Sequence, residues 1–223
     1  MKGKLLAQAA VKFILGLAAI ALLLFFPAGT LDFWNAWLLG GLLFIPMAVL
    51  GIVLWVKTPV LLEKRLNTKE KETEQKQVVW LSLIMFLGGF ITAGLDFRFG
   101  WSRLPLWLIV LASVLLLIGY AMYGEVMREN AYLSRTVEVQ QNQQVIDTGL
   151  YGVVRHPMYL ATILLFLAMP IVLGSIPALL IFLLYPFLLI KRITNEEIVL
   201  SQALTGYEAY KQKVRYRLIP FIW

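Results

Sequence analysis

The sequence predicts an all-α, polytopic integral membrane protein with about six transmembrane helices, a C-terminal helical hairpin and a cytosolic C-terminal helix. Of the 223 residues, 60% are hydrophobic and 15% are charged, and the mean hydropathy is +0.78, which is too apolar for a soluble domain of this length. Apolar runs of about 20 residues, enough for one helical crossing of a bilayer, recur along the chain. These runs are continuous rather than alternating, which favours helices over a closed barrel.

Composition also excludes several classes of function. The sequence has no cysteine and a single histidine, so thiolate nucleophiles, disulfides and cysteine-bound metals are excluded and we expect no metal site. We expect the net charge of +7 to set topology and to meet anionic membrane lipid, and we predict no nucleic-acid partner. The oligomeric state is left open.

The first four spans are predicted at 5–26, 33–56, 78–95 and 104–126. Pro27-Ala28-Gly29 ends the first span, which we expect to be a retained helix, and tryptophans lie near both ends of the second, where they favour the membrane interface. The charged stretch between the second and third spans is predicted to be a solvated, partly helical loop. Pro105 suits the first turn of the fourth helix. We expect an N-terminal four-helix transmembrane region, 1–127, and a C-terminal core, 128–223.

The C-terminal core is predicted to begin with a polar loop, 127–156, and to continue with a helical hairpin. In the loop, two short apolar segments flank a glutamine-rich run, which predicts a small β-hairpin over 137–146. The apolar residues 158–190 would form one helix of about 50 Å, too long for a single crossing. Because Pro170, Gly174-Ser175 and Pro177 interrupt this stretch, we predict two crossings, 158–173 and 176–193, joined by a tight turn.

Six crossings would place both termini on one side of the membrane. Eighteen of the 20 Lys and Arg residues then fall on that side, and Arg98 and Arg103 on the other. Because loops rich in Lys and Arg stay in the cytoplasm, we expect the termini and the active site on the cytoplasmic side, at the plasma membrane if the protein is prokaryotic. The basic tail, 211–217, is expected to lie against lipid headgroups.

This topology brings two polar clusters together at the mouth of the hairpin. Arg155-His156-Pro157 precedes the first crossing, where a helix start can hold an anion. After the second crossing, Arg192 and Glu196 share one helix face, whereas Glu197 points about 100° away. Taken alone, the first cluster is explained equally well as an ordinary helix start, and the second as a surface ion pair. Together they predict a site at the cytosolic end of an apolar cleft.

Four segments resemble, in order and spacing, the C-terminal core of the isoprenylcysteine carboxyl methyltransferase family. They are Gly149-Leu150-Tyr151, Arg155-His156-Pro157-Met158-Tyr159, Arg192 to Glu197, and Tyr207-Glu208-Ala209-Tyr210. Membrane phospholipid methyltransferases share much of this layout. The resemblance implies an integral membrane enzyme that uses S-adenosyl-L-methionine to methylate a lipid-linked or lipophilic acceptor, most closely the carboxyl group of an isoprenylcysteine-type substrate.

The resemblance also implies roles for individual residues. Arg192 would bind the substrate carboxylate, and Arg192, Glu196 and Glu197 are the candidate catalytic residues. The candidate cofactor-binding residues lie around the start of the hairpin and on its second helix: Gln140, Gln143, Val145, Ile146, Tyr151, His156, Pro157, Met158, Tyr159 and Glu196. Two interpretations are open for Tyr207 and Tyr210, which lie three residues apart on one helix face: they cover the cofactor, or they are packing residues.

Other functions remain open at this point. A carboxylate is already ionised at pH 7, so its methylation needs alignment and exclusion of water but no general base. An amine acceptor, as in a phospholipid amine N-methyltransferase, would need a base such as Glu197 or His156. A small-thiol S-methyltransferase, an NADPH-dependent membrane reductase of the sterol-reductase type and a non-enzymatic lipid-binding protein are further alternatives.

Overall fold

The computed structural model of this protein describes residues 2–67, 73–134, 136 and 139–223, and their regular structure is helical throughout. A 3₁₀ turn, Gly149–Gly152, precedes the hairpin. In chain order the helices are α1 (Lys2–Ala28), α2 (Trp34–Lys57), α3 (Pro59–Leu66), α4 (Thr73–Phe99), α5 (Leu106–Glu129), α6 (Pro157–Val172), α7 (Ile176–Phe182), α8 (Tyr185–Ala203) and α9 (Tyr207–Lys213).

The described helices agree with the predicted crossings. Five segments within them are long and apolar enough to cross a membrane: α1, α2, Gln75–Phe99 of α4, α5, and Ile176–Ala203, which comprises α7 and α8. The sixth apolar helix, α6, has 16 residues and is about 24 Å long at 1.5 Å per residue. Because this is shorter than a bilayer core, α6 requires local thinning of the membrane.

The turn of the hairpin lies where proline and glycine predict it. Gly174 has a φ of 77°, a left-handed conformation that glycine adopts without strain, and Ser175 Oγ accepts a hydrogen bond from the N–H of Ala178 at 3.2 Å. The second crossing, predicted as one helix over 176–193, is instead divided into α7 and α8. Pro186 stands in the first turn of α8 and has no N–H with which to continue the hydrogen bonds of α7.

The predicted β-hairpin over 137–146 is wrong for the described part of that loop. Val137 and Glu138 lie outside the described residues, while Val139 and Val145 have irregular structure. Both of these valines pack against α9. Burial of their apolar surface there outweighs the local preference for pairing them as strands.

The bundle is held together by contacts of α1 with α4, of α5 with α6, and of α4 with α7 and α8. The contact of α5 with α6 crosses the predicted boundary at residue 127. Between α4 and the hairpin, the ring of Phe86 meets those of Phe166 and Phe182 edge-on, with centroids 4.8 and 5.3 Å apart. These aromatic contacts fix α4 beside the hairpin.

Part of the basic tail binds the protein itself. The N–H groups of Arg155 and His156 donate to the carbonyls of Tyr216 and Arg217 at 2.9 and 2.8 Å. The tail that was expected on lipid headgroups therefore returns to the start of α6 and fixes its orientation.

Glycine allows α1 and α4 to approach each other closely. A Cβ atom added at Gly94 would lie 2.6 Å from the carbonyl oxygen of Leu24. An added Cβ at Gly88, on the same helix, would have nothing within 4 Å. Small residues of this kind let transmembrane helices pack backbone against backbone.

We expect Gly94→Ala to lower the free energy of unfolding by about 1–3 kcal/mol, because the new methyl group would overlap backbone atoms that cannot move without separating α1 from α4. Gly88→Ala is the matched control, and should leave stability unchanged or slightly raised because alanine is the better helix former. Thermal unfolding of both variants in detergent is the measurement. Equal melting temperatures for the two would contradict this helix packing.

Candidate active site

The start of α6 carries two buried polar side chains. Pro157 occupies the first helical position, where its missing N–H costs nothing, and Arg155 and His156 are 8% and 5% exposed. Because the tail binds the N–H groups of these two residues, both side chains are held against α8.

A buried charge cluster around Glu197 joins α6, α8 and the tail. Glu197 Oε1 accepts a hydrogen bond from Arg155 Nε at 2.8 Å and lies 3.2 Å from His156 Nε2. Its Oε2 accepts from Arg217 Nε at 2.8 Å. Arg155 Nη1 also donates to two tail carbonyls, at 2.8 and 2.7 Å. Both oxygens of this carboxylate, which is 4% exposed, are therefore bound, as a buried ion pair requires.

On the neighbouring face of α8, Arg192 and Glu196 meet a tyrosine of α6. The Tyr159 hydroxyl donates to Glu196 Oε2 and accepts from Arg192 Nε at 2.9 Å. The guanidinium carbon lies 5.8 Å from the centre of the Tyr159 ring, and that ring stacks on His156 with centroids 5.7 Å apart. One hydroxyl group thus holds a guanidinium and a carboxylate side by side.

Helix α4 supports this arrangement from the N-terminal region. Gln75 is fully buried, and its Nε2 donates to the Arg192 carbonyl at 3.2 Å and to Asn195 Oδ1 at 2.8 Å. The turn of α8 that carries Arg192 and Glu196 is therefore fixed to α4.

A cavity of about 550 Å³, within the usual size range of small-molecule sites, is lined by five of these side chains: Arg155, His156, Tyr159, Arg192 and Glu196. One part is apolar and is built by α4, α6 and α8: Val78, Val79, Leu83, Phe86, Phe166 and Leu189. The other part is more polar and is built by the loop before α6 together with α9: Asn130, Ser134, Gln143, Gln144, Tyr151 and Tyr207.

The order of residues along α8 shows where the two parts of the cavity meet. Its lining residues begin with Tyr185 and Leu189 beside the apolar part, continue with Arg192 and Glu196, and end with Leu200 near α9. The Arg192–Tyr159–Glu196 chain therefore lies between the apolar and the polar part.

Nine of the residues predicted for the site line this cavity: Gln143, Val145, Ile146, Tyr151, His156, Met158, Tyr159, Arg192 and Glu196. Three others lie outside its lining. Pro157 is buried in the first turn of α6, and Glu197 is enclosed in the charge cluster. Gln140 instead shapes the loop, because its Nε2 donates to the carbonyl of Tyr132 and its Oε1 accepts from Lys64.

Sequence reasoning missed several polar residues of the lining, among them Arg65 and Asn130. Arg65 comes from α3, within the stretch expected to be a solvated loop, and Asn130 donates to the Tyr151 hydroxyl at 3.0 Å. Neither residue lies in a motif of its own, and only the folded arrangement brings them to the cavity.

The tyrosines of the polar part remain neutral at physiological pH. Burial raises the pKa of Tyr151 to about 12, and raises the pKa values of Tyr207 and Tyr210 well above their usual range. Tyr210 donates to the carbonyl of Tyr151 at 2.8 Å. Among the described residues, the buried hydroxyl of Tyr207 has no hydrogen-bond partner. Because such a group is costly to leave unpaired, its position suits a bound molecule that supplies a partner.

No group of three or more His, Cys, Asp or Glu side chains within the described ranges is placed to hold a metal ion.

Comparisons with known proteins find a similar family and a similar fold. Residues 106–202 match the sequence model of the isoprenylcysteine carboxyl methyltransferase (ICMT) family, and no curated protein matches the chain. The solved structure of the eukaryotic intramembrane Ras methyltransferase ICMT is similar to this fold, with a TM-score of 0.57 and 18% identity over 96% of this chain and 77% of that one. The resemblance of this integral membrane protein to the isoprenylcysteine carboxyl methyltransferase family, predicted from the sequence, is thus confirmed over residues 106–202.

Proposed function

We propose that this protein is an S-adenosyl-L-methionine-dependent methyltransferase that esterifies the carboxyl group of a lipid-linked, isoprenylcysteine-type acceptor. The family match supports a membrane methyltransferase. The observation that carries the finer proposal is the position of the Arg192–Tyr159–Glu196 chain between the polar and the apolar part of one cavity. An enzyme that joins a water-soluble cofactor to a lipid-bound acceptor has to align the two at such a junction.

The residues of the polar part fit this cofactor. Gln143 and Tyr151 offer hydrogen bonds, Val145 and Ile146 offer apolar surface, and the Tyr207 hydroxyl lacks a partner among the described residues. The Glu196 carboxylate suits the cationic and amino groups of the cofactor. When bound, S-adenosyl-L-methionine supplies a methyl group activated by its sulfonium charge. In this proposal Gln140 and Pro157 act indirectly, by shaping the loop and starting α6.

Arg192 is the residue we assign to the acceptor carboxylate. A guanidinium group binds a carboxylate through two parallel hydrogen bonds, and the bond from Arg192 Nε to Tyr159 fixes the plane of that group. The apolar wall formed by α4, α6 and α8 suits the lipid chain of the acceptor. In this account α4 of the N-terminal region contributes to the acceptor side together with α6 and α8, while residues 128–223 supply most of the cofactor side.

A carboxylate acceptor also agrees with the position of Glu197. Methylation of a carboxylate requires no general base, because the carboxylate is ionised at pH 7. Glu197 lies outside the cavity lining and is bound by Arg155, His156 and Arg217. We therefore assign it a positioning role instead of the catalytic role predicted from the sequence. An amine acceptor would need a base, and Glu197, one of the two candidate bases, lies outside the cavity lining.

We further propose that the termini and the active site face the cytoplasm. The start of α6, the end of α8 and the tail meet at one end of the hairpin, and this end carries most of the Lys and Arg residues of the C-terminal core. This distribution is typical of a cytoplasmic surface.

We expect Glu196→Gln to weaken binding of S-adenosylhomocysteine by about 10–100-fold, because it removes a charge that pairs with the cofactor and leaves the shape unchanged. Glu208→Gln, which replaces an exposed carboxylate of α9 paired with Lys211 at 3.0 Å, is the matched control and should bind as the wild type does. Calorimetry of the detergent-solubilised protein gives both affinities. Binding of NADPH in place of S-adenosylhomocysteine would reject the proposed function.

We expect Arg192→Ala to lower kcat/KM for a farnesylated cysteine acceptor by about 10–100-fold, with a change of less than about 3-fold in the affinity for S-adenosylhomocysteine. Arg192→Lys should recover part of the loss, since it keeps the charge but not the planar fork. Lys191→Ala, one residue away and exposed, is the control. Equal losses in turnover and cofactor affinity would show that Arg192 does not have the assigned role.

A further inference from the structure

Arg65 is a cation of the cavity that the proposed reaction does not yet use. It lies on α3, in the N-terminal half of the chain and outside the residues that match the family model, but it lines the same cavity as Arg192 and Glu196. The buried residues Leu61 and Leu62 hold α3 against the bundle, so the position of Arg65 is fixed by packing.

The protein partners of the Arg65 guanidinium are neutral. Its Nη1 donates to the Ser134 carbonyl at 3.1 Å and its Nη2 donates to the Tyr123 hydroxyl. The guanidinium carbon also lies 5.4 Å from the centre of the Tyr123 ring. In the described part of the chain, no carboxylate lies within ion-pairing distance of Arg65.

The other arginines of the lining are placed differently. Arg155 is paired with Glu197 at 2.8 Å, and Arg192 is linked through the Tyr159 hydroxyl to Glu196. Glu196 is the one acidic side chain among the described residues of the lining. Among the described lining side chains, positive charges therefore outnumber negative ones, and Arg65 is the arginine without a carboxylate partner among the described residues.

We propose that Arg65 binds a carboxylate group of a molecule in this cavity, a proposal that rests on the proposed function. A guanidinium with neutral protein partners in a partly buried site is complementary to an anion. Two sources of a carboxylate are present in the proposed reaction, the amino-acid end of the cofactor and the acceptor itself. The hydrogen bond from Arg65 to the carbonyl of Ser134, a residue of the polar part, places Arg65 on the polar side of the cavity.

The test compares S-adenosylhomocysteine with its decarboxylated analogue, by calorimetry on the full-length protein in detergent. Arg65→Gln keeps a hydrogen-bond donor for Ser134 but removes the charge. If Arg65 binds the cofactor carboxylate, this variant should lose about 10–100-fold in affinity for S-adenosylhomocysteine and bind the decarboxylated analogue as the wild type does. If it binds the acceptor, cofactor affinity should be unchanged and the KM of a farnesylated cysteine should rise about 10-fold or more.

Lys64→Gln is the matched control. Lys64 lies beside Arg65, and its Nζ holds the same loop through Gln140 and the carbonyl of Ala131, but it is not part of the described cavity lining. Lys64→Gln should change the affinity for S-adenosylhomocysteine and for its decarboxylated analogue by less than about 3-fold.

Two results for Arg65→Gln would overturn the proposal. Equal losses of affinity for S-adenosylhomocysteine and its decarboxylated analogue would indicate a purely structural role. Unchanged binding of both, with an unchanged KM for the acceptor, would indicate no role. A wild-type protein that binds neither analogue would instead contradict the proposed function itself.

Discussion

The pairing of one buried carboxylate is the interaction on which the rest of this structure depends. Glu197 accepts hydrogen bonds from Arg155, at the start of α6, and from Arg217, in the returning tail. A buried carboxylate without such partners is unfavourable by several kcal/mol. These partners become available only when the hairpin closes and the C-terminal segment folds back beneath it. The hydrogen bonds of the Glu197 carboxylate therefore link the closure of the hairpin to the position of the tail.

Closure of the hairpin sets the distance between α6 and α8, and this distance allows the Tyr159 hydroxyl to contact both Arg192 and Glu196. The same two helices, with α4 held by Gln75, form the apolar wall of the cavity, while the loop before α6 and α9 form its polar part. In the proposed reaction the protein has to align the acceptor carboxylate with the activated methyl group and exclude water from both. The scaffold itself therefore accounts for most of the proposed catalysis.

Features set by local sequence were predictable. Long apolar runs indicated the crossings, Gly174 and the neighbouring prolines indicated the turn, and the four-residue spacing of Arg192 and Glu196 placed them on one face. Features set by distant contacts were not. The contact of Gln75 with α8 spans more than a hundred residues, and no periodicity marks either partner. The β-hairpin prediction failed because Val139 and Val145 gain more from burial against α9 than from strand pairing.

A double-mutant cycle on Arg155 and Glu197 tests the central contact most directly. The free energies of unfolding of Arg155→Met, Glu197→Gln and the double variant would be measured in detergent and compared with the wild type. The account predicts that each single variant is strongly destabilised and that the coupling energy is about 2 kcal/mol or more, because either change leaves a buried group without its partner. A coupling energy near zero would show that the two ends of the hairpin do not meet in this way, and would contradict the site built on that contact.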